Sequence, residues 1–289
     1  MAAVDRKGNP VALNDGGQIA SVRFLYDNAF GRLLLKVLTR PRLSRLAGAY
    51  LDTKLSTRLI PGFIRKNGID MSEYEEAEYR SFNEFFCRKI RKDRRPVACG
   101  KDVLVSPADA KLTVLPITED ARFRIKNIGY TFEQLVRDPG LAEKYAGGTI
   151  LIFRLTVSDY HRYGYPCSGT VSQERRIPGV LHTVHPLAAE KTALYAENAR
   201  ELATLETERF GTVLMMEVGA LLVGRIVNDR PAGAVEKGAE KGHFEYGGST
   251  VILCLAPGTV ALDPEFTENS ARGLETVVRY GERIGVACE

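Results

Sequence analysis

Two adjacent glycines, Gly247 and Gly248, run straight into Ser249-Thr-Val-Ile-Leu-Cys-Leu255, so a turn is set directly against a β-branched, apolar run. Such a run reads as a strand. The glycines before it reach backbone angles closed to other residues, and the carbonyl of Gly248 can be twisted and presented to the hydroxyl of Ser249. A serine so placed can attack its own preceding peptide bond. An ordinary turn entering a strand has the same local sequence, so this segment taken alone leaves both readings open.

The chain has 289 residues, 44% of them hydrophobic, with 27 Gly and 13 Pro. That is enough to bury one substantial core in one or two domains. No run approaches the roughly 18 apolar residues that span a bilayer, and the N-terminal Met-Ala-Ala-Val-Asp-Arg-Lys is too polar for a secretion signal. The expected location is the cytoplasm or the cytoplasmic face of the cell membrane. Cys87, Cys99, Cys167, Cys254 and Cys288 are scattered, with no Cys-x-x-Cys pair and no histidine at ligand spacing. Neither a disulfide framework nor a metal site is indicated.

Charge is unevenly placed. Residues 19–66 hold ten basic residues against Asp27 and Asp52, whereas the whole chain is only +4. Within that segment Arg32, Lys36 and Arg40 recur at steps of four, opposite Phe30, Leu33, Leu34, Val37 and Leu38. The pattern is a basic amphipathic helix, which suits either an anionic membrane surface or a helix packed on its own core with a solvated basic face. Nucleic acid is disfavoured, since no binding motif accompanies the charge.

Residues 1–18 lack sustained periodicity and read as a loose arm or short turn. Residues 19 to about 95 read as helical, with Ser81 a capping residue and Glu84 three positions on. Phe82, Phe85 and Phe86 form a core-facing stripe there. From Val103 onward short β-branched runs alternate with Gly and Pro, and 149–157, 212–218, 220–227 and 249–255 are candidate strands. The expected fold is α+β: a helical N-terminal part, residues 1–95, followed by a β-rich catalytic core, residues 96–289.

Six short segments occur in order: Arg80-Ser-Phe-Asn-Glu-Phe-Phe-Cys-Arg88, Ser106-Pro-Ala-Asp-Ala110, Asp159-Tyr-His-Arg-Tyr-Gly-Tyr-Pro166, Val218-Gly-Ala-Leu-Leu-Val-Gly224, Lys237-Gly-Ala-Glu-Lys-Gly242 and the Gly-Gly-Ser-Thr turn. Over residues 80 to 260 the series closely resembles the phosphatidylserine decarboxylases. The resemblance implies a zymogen, a lyase of phospholipid biosynthesis that cuts itself between Gly248 and Ser249. An N-to-O acyl shift, then β-elimination and hydrolysis, would convert Ser249 into a covalent pyruvoyl cofactor. The resulting large chain (1–248) and small chain (249–289) would stay together. The pyruvoyl ketone would decarboxylate phosphatidylserine to phosphatidylethanolamine through a Schiff base, on a peripheral membrane enzyme and plausibly a homodimer. Asp109 matches the family's Ser-Pro-x-Asp aspartate, His161 the first histidine of its Asp-Tyr-His-Arg motif, and Ser249 the serine that becomes pyruvoyl. Together they would form a Ser-His-Asp arrangement in which His161 is the base for Ser249. His161 is also the expected proton donor, since histidine exchanges a proton near neutral pH without a large shift.

The sequence departs from the family in two places. Many members carry a second histidine three residues after the first, where this chain has Gly164, and Asp-Gly is here Asp109-Ala110. Either His161 serves twice, or His182 or His185 takes over the missing duty. Two other functions use the same residues: a pyruvoyl decarboxylase of a soluble amino acid, and an unprocessed lipid-surface binding protein of the same fold.

Overall fold

The computed structural model describes residues 2–12, 18–125, 127–221, 225–229, 231–246 and 249–288. It is an α+β protein. Between residues 18 and 86 lie helices α1 (Gln18–Asp27), α2 (Ala29–Leu38), α3 (Pro41–Leu51), α4 (Ile60–Asn67) and α5 (Phe82–Phe86). The Asn28 side chain starts α2 by accepting from Phe30 N at 2.8 Å. Gly31 lets α2 lie against α1, because a Cβ there would sit 1.9 Å from the Phe24 carbonyl oxygen. At α5 the Ser81 hydroxyl accepts from Glu84 N at 3.1 Å. The Glu84 carboxylate reaches back to Arg80 N, one residue beyond the usual capping box.

An eleven-stranded sheet dominates the described residues. Its strands include β1 (Ala3–Val4), β2 (Pro10–Val11), β3 (Ala110–Pro116) and β4 (Thr149–Leu155). A short strand β5 (Arg162–Gly164) belongs to a second sheet, and β6 (Arg200–Glu206) and β7 (Thr212–Val218) return to the first. Next come β8 (Ile226–Asn228) and β9 (Glu240–Phe244) of the second sheet, then β10 (Ser249–Leu255) and β11 (Glu275–Val278) of the first. Eight of the large sheet's eleven strands run in the order β6-β7-β10-β4-β3-β11-β1-β2, and the small sheet runs β8-β9-β5. Strand β10 is central, paired antiparallel with β7 and β4 over most of its length, and all seven of its residues are buried. That is why it reads as an unbroken apolar run.

The register sets what shares a face. Ser249 pairs with Leu155, and Val251 pairs with Glu217, so Ser249, Val251 and Glu217 point to one side. The small sheet is tied to that side: Lys241 of β9 reaches Glu217 at 2.8 Å and Asn228 at 2.8 Å.

Two expectations need correction. Residues 1–18 are not only a loose arm, since Ala3–Val4 adds to β11 in parallel and to β2 in antiparallel fashion. In the stretch 220–227 only Ile226 and Val227 are in a strand, Leu222, Val223 and Gly224 being outside the described residues.

Candidate active site

Ser249 opens β10, fully buried, and its hydroxyl has no hydrogen-bond partner among the described residues. Gly247 and Gly248, the other half of the expected cut, lie outside the described residues. The chain leading to them is held by α5. Tyr246 packs edge-on against Phe82 and Phe86 at 5.1 and 5.3 Å, and its backbone N donates to Asn83 at 3.3 Å. The stripe of Phe82, Phe85 and Phe86 is buried as core, and Phe86 also carries a histidine on its face.

That histidine is His161, fully buried, its ring centroid 4.0 Å from that of Phe86. The small sheet brings it toward the cut segment, because Phe244 N donates to the His161 carbonyl at 2.9 Å. Its Nδ1 lies 2.8 Å from the Asp159 carbonyl oxygen. A carbonyl only accepts, so Nδ1 carries the hydrogen and Nε2 of the neutral ring presents a lone pair. Among the described residues Nε2 has no partner. Burial, with the cations Arg88 and Lys111 adding to it, pushes the imidazolium down to about 3 against the opposing pull of Asp159. This corrects the expectation of a ring that titrates near neutrality. Burial keeps the His161 ring neutral in this state.

Asp109 is buried in a different set of bonds. Arg95 grips its carboxylate through Nε at 2.9 Å and Nη2 at 2.6 Å, and Tyr280 N donates to Oδ1 at 2.7 Å. No hydrogen bond joins Asp109 to His161 among the described residues. The link between them is one loop away: Gly164 N, at the end of β5, donates to the Pro107 carbonyl at 2.9 Å. Arg95 also binds Glu73 at 3.0 Å, and its guanidinium is held above its ordinary value by the two carboxylates, which outweigh burial.

The carboxylate close to His161 in sequence is Asp159, which sequence reasoning did not single out. It takes both oxygens to Lys111 Nζ at 2.6 Å and accepts from Thr156 N at 2.6 Å. Burial raises its pKa, but Lys111 and Thr156 outweigh that and the carboxyl sits below its usual range. A fixed Asp159 fixes the carbonyl that sets the His161 tautomer. The sequence signal was available in the motif itself, where Asp159 stands two residues before His161.

Gly164 has no room for a side chain: a Cβ would meet the Tyr280 hydroxyl at 2.0 Å and the Ala239 carbonyl oxygen at 2.7 Å. The Tyr280 hydroxyl lies against Gly164 and donates to the Gly238 carbonyl at 3.0 Å. His182 and His185 are engaged elsewhere. Nδ1 of His182 meets the Tyr26 hydroxyl at 2.9 Å and Nε2 faces Glu197 at 3.3 Å, while His185 Nδ1 accepts from Leu187 N at 3.2 Å. Asp229, Glu240 and His243 have ligand atoms within 4.8 Å of one another. Arg162 already sits on Glu240, and a cation there would meet that charge.

The sequence matches the phosphatidylserine decarboxylase family over residues 82–286. Phosphatidylserine decarboxylase proenzyme 2 of Clostridium acetobutylicum is 44% identical over 265 residues, covering 91% of each chain. The phosphatidylserine decarboxylase proenzyme of Chlamydia caviae is 41% identical over 92% of this chain and 91% of its own. That of Desulfitobacterium hafniense is 36% identical over 98% and 97%. The chain belongs to the phosphatidylserine decarboxylase family, a family of carboxy-lyases.

Proposed function

We propose that the chain is a proenzyme that cuts itself between Gly248 and Ser249 and then decarboxylates phosphatidylserine to phosphatidylethanolamine at a membrane surface. The observation that carries this reading is the pair of buried, unpartnered atoms, the Ser249 hydroxyl and Nε2 of His161. Burying polar atoms without partners is costly, and a site that must receive a proton has a reason to bear it.

His161 takes the proton of the Ser249 hydroxyl through Nε2. With a conjugate acid near 3 it is a weak base, which suits a step each molecule performs once. Asp109 acts as a positioning residue. Anchored by Arg95 and Tyr280, it fixes the 106–109 loop, which bonds to the end of β5 just beyond His161. A pyruvoyl group at position 249 supplies a carbonyl electron sink for an amine-bearing substrate. The site fits such a group, since residue 249 begins a rigid, buried strand. The small chain, 249–289, would stay bound, because β10 is paired on both edges.

The helical segment within residues 1–95 supplies the membrane face, and residues 96–289 the catalytic part. Among the described residues, ten of the eleven exposed large hydrophobics fall between Ile19 and Leu59, including Phe30 at 67%, Leu33 at 62% and Val37 at 50% exposure. The apolar side of α2 is therefore not spent on the protein's own core, and Arg32, Lys36 and Arg40 are exposed beside it. No described helix is long and apolar enough to cross a membrane. A peripheral, interfacial seat on the cytoplasmic leaflet suits both the apolar face and the charge.

Intact mass under denaturing conditions tests the reading, with Ser249→Ala beside the wild type. Two fragments meeting at 248/249, the smaller beginning with pyruvoyl, and a control that stays whole are expected. A well-folded wild type of full-length mass would overturn it.

A further inference from the structure

Four arginines are buried among the described residues: Arg88, Arg95, Arg154 and Arg200. Three have evident reasons to be there. Arg95 forks onto Asp109, and Arg154 onto Glu275 at 2.8 and 2.5 Å. Arg200, with no carboxylate, gives its N–H groups to four carbonyls, of Leu135, Ala196, Asn198 and Gln134, at 2.7–2.9 Å. Arg88 has neither solution. At 2% exposure it makes one bond of ordinary length, to the Tyr74 hydroxyl at 3.1 Å, and two long ones, to the Phe85 carbonyl at 3.4 Å and the Ser158 carbonyl at 3.5 Å. Its Nε has no partner, and no ion pair involves it among the described residues. The rings of Tyr74 and Phe85, 4.2 and 4.9 Å from its guanidinium carbon, recover part of the desolvation cost through their faces. They do not neutralise the charge.

The position of this cation matters as much as its bonds. Ser158 is adjacent to Asp159, whose carbonyl sets the His161 tautomer. Arg88 follows the α5 residues that carry His161 and grip Tyr246. A buried guanidinium without an anion, beside the histidine of the site, is built to receive an anion from outside.

We propose that Arg88 receives the phosphodiester of the phosphatidylserine headgroup. The inference rests on the decarboxylase reading above. That headgroup has two anions, the carboxylate and the phosphodiester. The carboxylate must give up its electrons as it leaves, so an arginine clamped on it would stabilise the ground state and oppose the reaction. The phosphodiester keeps its charge throughout and lies only a few bonds from the amine. Arg88 thus binds substrate and product alike, and fixes the headgroup without touching the bond that breaks.

The test uses processed enzyme, confirmed by intact mass, and compares wild type with Arg88→Met and Arg88→Lys on phosphatidylserine in mixed micelles, with phosphatidylethanolamine as inhibitor. Arg88→Met should raise KM and the phosphatidylethanolamine inhibition constant by a common factor of roughly tenfold or more, with kcat changed far less and Arg88→Lys between the two. A rise in KM with product inhibition unchanged would assign Arg88 to the carboxylate and overturn the proposal. Unchanged values for both would make it a structural arginine and overturn it too. If neither variant yields processed protein, competition on the wild type decides: glycerophosphoethanolamine should inhibit at concentrations where ethanolamine does not, and equal inhibition would refute the idea. Failure of the wild type itself to process or to decarboxylate would instead count against the decarboxylase reading.

Discussion

Helix α2 and strand β10 are both apolar-rich, and the structure uses them in opposite ways. In β10 every residue from Ser249 to Leu255 is buried between neighbouring strands. In α2 only Gly31 and Leu35 are buried, while Phe30, Leu33, Leu34 and Val37 face outward. Hydrophobicity in the strand is satisfied within the chain, and in the helix it is left exposed. On the proposed reading chemistry and location are carried by separate regions, and substitutions in one should leave the other intact.

The largest expected effect lies on the chemical side. His161→Ala should slow self-cleavage by about a hundredfold or more, read as the fraction of full-length mass over time, with vesicle binding of the uncut protein unchanged. Cleavage at the wild-type rate would remove His161 as the base. On the membrane side, Phe30→Ser/Leu33→Ser/Val37→Ser should weaken binding to anionic vesicles about a hundredfold or more, at about 1 kcal/mol or more per side chain. Processing and activity on detergent-dispersed substrate should persist, and co-sedimentation beside a micelle assay reads both. Loss of micelle activity as well would break the division between regions. A smaller change is expected for Arg32→Gln/Lys36→Gln, roughly 1 kcal/mol per charge at low salt, and a flatter dependence of vesicle binding on salt would reveal it. The last effect is thermodynamic. The His161 pKa is about 3 in the fold against an ordinary 6.5, so the unfolded chain takes the proton first as the pH drops. Its contribution is intact above about pH 6.5 and is lost as the pH falls toward 3, at up to about 1.4 kcal/mol per unit. Urea unfolding of unprocessed Ser249→Ala between about pH 7 and 4.5 should show that slope, and adding His161→Gln should flatten it.

The same contrast explains what the sequence could convey. Strands 212–218 and 249–255 were legible to the residue because a strand buried on both faces needs a near-continuous apolar run, broken in the first only by Thr212 and Glu217. Helix α5 was legible from its cap, Ser81 with Glu84. Both signals are local. Pairings across the whole chain leave none: Ala3–Val4 adds to residues 275–276 through two backbone positions, with no periodicity to mark them. The site shows the same limit. The residue types Asp109, His161 and Ser249 stand out, but nothing local says that Asp109 is claimed by Arg95 and Tyr280, or that the His161 partner is a main-chain carbonyl. The low His161 pKa comes from burial under Phe86 and beside two cations, which only packing creates. Arg88 lay within a noted motif, yet its charge is informative only once every neighbour that fails to neutralise it is known.

The central place of β10 has a consequence for the protein's life history. On the proposed cut before Ser249, the strand in the middle of the sheet would belong to a separate polypeptide that entered the fold while still tethered. Unfolding would release it, and refolding would then be a meeting of two molecules, one of them a short peptide with no core of its own. Maturation thus makes folding a one-time event, and the mature form endures by slow unfolding more than by reversible equilibrium.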